Sequence, residues 1–393
     1  MQAVKKISRT HTVVIGGGQA GLSVGYYLSK HKVPFLIVDA NPRMGDAWRN
    51  RWDSLRLFTP SRYMLPGLRL PGSDNFPTKN QVADYLEQYA RQFQLPVENG
   101  VRIEHLSRTG GIFVLDAGDR EFHCDTVVVA MANYQEPRIP DFASQLSPEI
   151  VQMHSHRYRN PSQLNAGPVL IVGLGNSGAD IAMELSVSHA TFVSGKETGY
   201  IRWPIETFFS RNIAFRVVRF IGHHILSVKT PIGRKARPAL LHRATPLIRV
   251  KPNDLEAAGC QRVPRVVGAQ DGLPVLEDGR RLNVHNVIWC TGYRHGFPWI
   301  DLPIFDEHGD PRHVQGEVPE VPGLWFVGLH FLTAMSSASL IGVSRDARRI
   351  AGRVAARASA LSHSQHHGLE PLTRFPAKSH AATAEPELTS VSD

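Results

Sequence analysis

The chain has 393 residues, a net charge of +9, 42% hydrophobic and 20% charged residues, and three cysteines. This length suits two or three domains and the balance is that of a globular protein. Cys124, Cys260 and Cys290 form no CxxC and no metal-ligand spacing, which argues against a disulfide scaffold, a dithiol redox pair and a metal centre.

In chain order, an apolar run at 12–15 predicts a strand, 16–21 a glycine turn, 20–29 a helix, and 35–38 a second strand that ends at Asp39. Residues 41–78 are aromatic, basic and Pro-rich and predict a long irregular segment. An amphipathic helix is expected over 82–92. Short antiparallel strands are expected at 101–106, 112–115 and 120–123, and a buried strand at 127–131. A second strand–turn–helix begins at Pro168, with its strand at 169–172, its glycine turn at 173–178 and its helix to about 186. Strands follow at 190–194, 284–290 and 324–327, and a last helix at 337–358. The segment 361–393 has little apolar content and is expected to be a disordered tail. No run reaches the ~20 apolar residues of a membrane span, and the N-terminus lacks a signal core, so a cytoplasmic protein is expected. The basic balance fits phosphate-bearing small ligands, and no nucleic-acid motif is present.

Both turns read GxGxxG. In such a loop the first glycine makes the turn, the second admits a pyrophosphate, and the third lets helix and strand pack closely. Gly16, Gly18 and Gly21 fit one copy; Gly173, Gly175 and Gly178 fit the other. Asp39 closes the first unit and suits a ribose 2′-hydroxyl, as in FAD or NAD. The second unit ends without an acid, at Ser194, Gly195 and Lys196, which favours the 2′-phosphate of NADPH. The expected fold is α/β, with two Rossmann-like dinucleotide-binding domains. The NADPH domain (165–284) would be inserted into an FAD domain (1–160 and 285–360), with a basic, aromatic insert at 200–246.

These blocks resemble the class B flavin-dependent monooxygenases, and within them the flavin-containing monooxygenases and their small bacterial and plant auxin-type relatives. The resemblance covers about residues 10–355. It rests on both glycine loops, on GDAWRNRWDSLRLFTP at 45–60, on Cys290-Thr291-Gly292-Tyr293, and on Gly328 with the helix expected after Ser336 and Ser337. Before the second loop, His154 and Tyr158 keep the His-x-x-x-Tyr half of the family fingerprint, while its Phe and Gly are absent.

The resemblance implies that NADPH reduces FAD, that reduced flavin and O₂ form a C4a-hydroperoxide, and that a small organic substrate is oxygenated. The substrate would be an amine or a sulfide, or a 2-oxo acid by oxidative decarboxylation. It implies Trp48, Arg49, Leu57 and Thr59 near the flavin, and Gly328 and Ser337 at its pyrophosphate or pyrimidine edge. Gly173, Gly175, Asn176, Ser177, Gly178 and Lys196 would hold NADPH. His154 and Tyr158 would order the interdomain linker, and with Arg49 they are the catalytic candidates. A flavin oxidase that releases H₂O₂ and a non-catalytic flavoprotein regulator remain alternatives. Residues 208–241 alternate apolar and basic, which suits a lid, a packing or homodimer contact, or a membrane-surface contact.

Overall fold

A computed structural model describes residues 5–71, 76–132, 134–196, 198–242 and 245–367. Strand β1 (Lys6–Ile15) buries Val13, Val14 and Ile15. Helix α1 (Gln19–Lys30) turns Leu22, Val24 and Leu28 inward, and β2 (Phe35–Asp39) pairs parallel to β1. This is the expected βαβ unit. Its first strand starts earlier than the apolar run, because residues 6–10 pair with a neighbour while staying largely exposed.

The 41–78 segment holds one helical turn, α2 (Asp46–Arg49). Helix α3 (Lys79–Gln92) opens on a capping box in which Thr78 Oγ1 accepts from Gln81 N–H and Gln81 Oε1 accepts from Thr78 N–H. Next come β3 (Val97–Asn99), β4 (His105–Thr109), β5 (Ile112–Asp116) and β6 (Arg120–Val129). The two strands expected at 120–123 and 127–131 are thus one, and the strand expected from 101 begins at His105.

The chain then passes through β7 (Glu136–Pro137), β8 (Val151–His154), β9 (Val169–Val172), α4 (Asn176–Leu185) and β10 (Thr191–Ser194). The insert forms α5 (Phe215–Phe220), flanked by two π-helical turns, and α6 (Pro231–His242). After α7 (Pro252–Ala257) come β11 (Gln261–Val263), β12 (Val266–Gln270), β13 (Leu273–Leu276), β14 (Asn286–Trp289), β15 (Tyr293–Arg294) and β16 (Leu324–Phe326). The last helix, α8 (Val343–His367), starts six residues later than expected from Ser337 and extends into the expected tail; 368–393 lie outside the described residues.

Two sheets result. The first runs β3-β2-β1-β6-β5-β4, with β16 beside the end of β6. The second runs β11-β10-β9-β14-β8 and is parallel throughout. The strand expected at 284–290 therefore does not complete the first sheet; β14 lies between β9 and β8 in the second. Its four residues are all buried, and such a run carries no mark of which sheet it joins. Fully buried side chains such as Val169, Ile171 and Leu185 hold the second sheet, each worth about 2 kcal/mol. Where the chain crosses between sheets, β7 and β15 pair antiparallel, and Arg138 N–H donates to Gly292 O at 2.9 Å.

Candidate active site at the facing strand ends

The two glycine loops have the same geometry. Gly16 has φ +107° and Gly173 φ +108°, the left-handed region that favours glycine. A Cβ on Gly21 would stand 1.9 Å from Gly16 O, and a Cβ on Gly178 would stand 1.9 Å from Gly173 O. A Cβ on Gly18 or Gly175 would meet no described atom within 4 Å, so the middle of each loop is open. Helices α1 and α4 start there with no side-chain cap and no acid in the first turn. Their N–H groups and the positive end of each helix dipole face that space, as a pyrophosphate requires. Both loops fit dinucleotides.

The strand ends beside the loops differ. Asp39 accepts from Gly17 N–H at 2.6 Å and from the Asn41 backbone and side-chain N–H groups, both at 2.8 Å. At the end of β10, the Ser194 hydroxyl is turned away: it donates to Pro264 O and accepts from Val266 N–H. Lys196 is exposed there, and the Arg262 guanidinium donates to Gly195 O at 2.9 Å. Two cations therefore mark this end. Arg262 lies 66 positions beyond Lys196 in the sequence and comes beside it only because β11 pairs with β10.

The carboxyl ends of strands from both sheets meet in an aromatic cluster. Tyr134 follows β6, His330 follows β16, His154 ends β8 with His156 just beyond, and Tyr293 follows β14. Ring centroids lie 4.9 Å apart for His154–Tyr293, 5.4 Å for Tyr134–Tyr293 and 5.5 Å for Tyr134–His330. Arg51 donates to Tyr293 Oη at 2.9 Å. Ligands of open α/β sheets bind at such strand ends.

His154 is buried, its Nε2 is 3.0 Å from Gly292 O, and its Nδ1 accepts from His156 N–H. Those partners fix the neutral Nε2–H tautomer. Burial brings its pKa down to about 4, against which the Gly292 carbonyl works. Desolvation also lowers half-buried His156, helped by Arg51, and His330 at the exposed rim of the cluster, helped by His295. The cluster is thus lined by neutral imidazoles at neutral pH.

The remaining predicted residues take other places. Arg49 is ion-paired to Asp46, Asp84 and Glu87 and also donates to Met44 O, so its charge is held among α2 and α3. Its neighbour Arg51, just past the helical turn, reaches the cluster instead. Tyr158 is fully buried and donates to Glu184 on α4 at 3.1 Å; burial raises its pKa, as does Glu184. Trp48 packs between the two sheets' cores, Leu57 is buried in the first, and Thr59 is half-buried. Asn176 is spent on the chain itself, accepting from Ile248 N–H and donating to Pro246 O. Ser177 is half-buried at the start of α4. Gly328 approaches Ala20 at the start of α1, where a Cβ would stand 2.9 Å from the Ala20 methyl. Ser337 is buried in a turn and accepts from Thr333 and Ala334 N–H, so it heads no helix.

Two loops that each fit a pyrophosphate suit an oxidoreductase that uses FAD and NADPH. Known proteins agree. Residues 13–197 match the family described as pyridine nucleotide-disulphide oxidoreductase. The chain is 38% identical over 348 residues to an uncharacterized oxidoreductase CzcO-like of Geobacillus kaustophilus, covering 85% of this chain and 95% of that one. It is 27% identical to the probable indole-3-pyruvate monooxygenase YUCCA3 of Arabidopsis thaliana, covering 88% and 86%. A solved flavin-containing monooxygenase from Stenotrophomonas maltophilia superposes with a TM-score of 0.69 at 28% identity, covering 89% and 99%. The chain belongs to the class B flavin-dependent monooxygenases, in the branch of the flavin-containing monooxygenases.

Proposed function

We propose that the protein oxygenates a small, uncharged soft nucleophile, an amine or a sulfide, at the expense of NADPH and O₂. The observation that carries this reading is the group of aromatic rings and neutral imidazoles where the two sheets' strand ends meet, with no carboxylate among those named. Oxygen transfer to a lone pair asks the protein for orientation and a dry pocket rather than an ionised acid or base. Buried His154 and half-buried His156, both with lowered pKa values and both packed against Tyr293, supply the inner part of that environment.

When bound, the flavin supplies hydride acceptance and oxygen activation, with NADPH as reductant. Gly16, Gly18 and Gly21 with the start of α1 would hold the FAD pyrophosphate, and Asp39 its ribose. Trp48, Leu57 and Thr59 would wall its flavin end, and Gly328 would close over α1. Gly173, Gly175, Ser177 and Gly178 would hold the NADPH pyrophosphate, and Lys196 with Arg262 its 2′-phosphate. Asn176 and Ser337 would act at one remove, by fixing the 245–248 loop and the 333–337 turn. Arg49 would brace the flavin wall. His154 would pin the domain crossing through Gly292, and Tyr158 would fix α4 through Glu184.

Arg51 favours a second reading, since a cation among these rings suits the carboxylate of a 2-oxo acid. The test is turnover of the purified holoenzyme with NADPH and isotopically labelled O₂ on a tertiary amine, a thioether and a 2-oxo acid. Labelled N-oxide or S-oxide in step with NADPH consumption is the expected result. Labelled oxygen with CO₂ release from the oxo acid alone supports the second reading. Stoichiometric H₂O₂ with no labelled product overturns both.

A further inference from the structure

The insert between β10 and β11 is the most lopsided part of the molecule. From Thr207 to Leu241 it holds seven Lys and Arg and neither Asp nor Glu, against a net charge of +9 for the whole chain. One side of it is fastened to the first sheet's side of the molecule. Val228 N–H donates to Thr333 O and Met335 N–H to Leu226 O, both at 2.9 Å, and Arg345 donates to His223 O. Phe215 stacks on Tyr63 at 4.9 Å, with Arg219 over the same ring. Its other side buries nothing. Phe208 is 76% exposed, Phe209 61%, Phe220 57% and Ile232 61%. Phe209, Ile213, Val217 and Phe220 follow one another at three- or four-residue spacing, which puts them on one helical face. Arg216, Arg234 and Lys235 are exposed on the same insert.

Large apolar side chains held in water by a rigidly anchored segment mark a contact surface. A second copy is a poor occupant, because a symmetric contact would set the exposed cations of one insert against those of the other. Nucleic acid would use the cations and leave the Phe and Ile side chains unburied. An anionic bilayer uses both: the headgroups take the charges and the acyl boundary takes the apolar face. We propose that residues 207–241 dock the protein on the surface of a membrane rich in anionic phospholipid, without crossing it. Among the described residues no helix is long and apolar enough to span a bilayer.

The test is flotation of the FAD-loaded protein with vesicles of phosphatidylcholine alone, or of phosphatidylcholine and phosphatidylglycerol in equal parts, at low and high salt. Binding is expected only with phosphatidylglycerol, and release by salt. Arg216→Gln, Arg234→Gln and Lys235→Gln together should weaken binding by about a hundredfold, roughly fivefold per cation. Phe208→Ser with Phe209→Ser and Phe220→Ser should abolish it. NADPH oxidation in vesicle-free buffer checks that each variant is folded. No flotation, or salt-independent binding to both vesicle types, overturns the proposal. So does a concentration-dependent dimer that the Phe changes dissolve in the absence of any vesicle binding.

Discussion

Gly21 and Gly178 face the same obstacle, a carbonyl oxygen 1.9 Å from where a Cβ would stand, and Gly16 and Gly173 turn through nearly the same φ. Only the neighbours change. Ala130 lies under the first loop where Cys290 lies under the second, and the strand beside the first ends in a carboxylate where the other ends in two cations. In the proposed function the shared backbone would take what the two cofactors share, a pyrophosphate, and the differing strand ends would read what distinguishes them. On that reading binding and discrimination sit on different residues and can be broken separately.

The largest effect should come from the shared part. Gly21→Ala and Gly178→Ala each drive a methyl into a carbonyl, at a local cost of up to about 3 kcal/mol. Gly21→Ala should purify without flavin absorbance. Gly178→Ala should keep the flavin but lose its reduction by NADPH under anaerobic conditions. If both variants lose flavin alike, the two loops do not hold separate cofactors.

Next comes the crossing between the sheets. The folded pKa of His154, about 4, lies below its ordinary 6.5, so the unfolded chain takes up this proton first. The stability that depends on a neutral His154 is complete above about pH 6.5 and is lost as pH falls towards 4. Relative to His154→Gln, which cannot titrate, the native protein should lose about 2 kcal/mol between neutral pH and pH 5. Thermal melts of both proteins across this range measure it; parallel curves would remove the imidazole from the argument.

The smallest effect belongs to the discriminating end. Lys196→Ala and Arg262→Ala should each raise KM for NADPH by about tenfold, the scale of one lost charged hydrogen bond. KM for NADH should stay the same. An equal rise for both nucleotides would show that these cations do not read the 2′-phosphate.

The sequence made the loops legible because glycine spacing and a short apolar strand are local signals. Sheet membership is not local: β14 carries a buried Val-Ile-Trp run that would suit either sheet. Strand β6 looked like two strands because Cys124-Asp125-Thr126 interrupts the apolar pattern, yet Cys124 and Thr126 are buried in it. Ser336 and Ser337 resembled a helix cap, but the Ser337 hydroxyl closes its own turn instead. Arg49 and Arg51 lie in one basic block, and only the end of α2 sends the first to Asp84 and Glu87 and the second to the ring cluster. Tyr134, His156 and His330 carry no motif. They meet because they follow strands whose ends the fold turns toward one another.

The Gly292 carbonyl takes the Arg138 N–H of the β7–β15 ribbon at 2.9 Å and also lies 3.0 Å from His154 Nε2. Because β7 and β15 are bonded to each other, the two chain crossings form a single mechanical joint. Any swing of one sheet against the other must bend both crossings together and strain that one oxygen. Stiffness of the joint and the protonation state of a buried imidazole are thereby tied to the same atom.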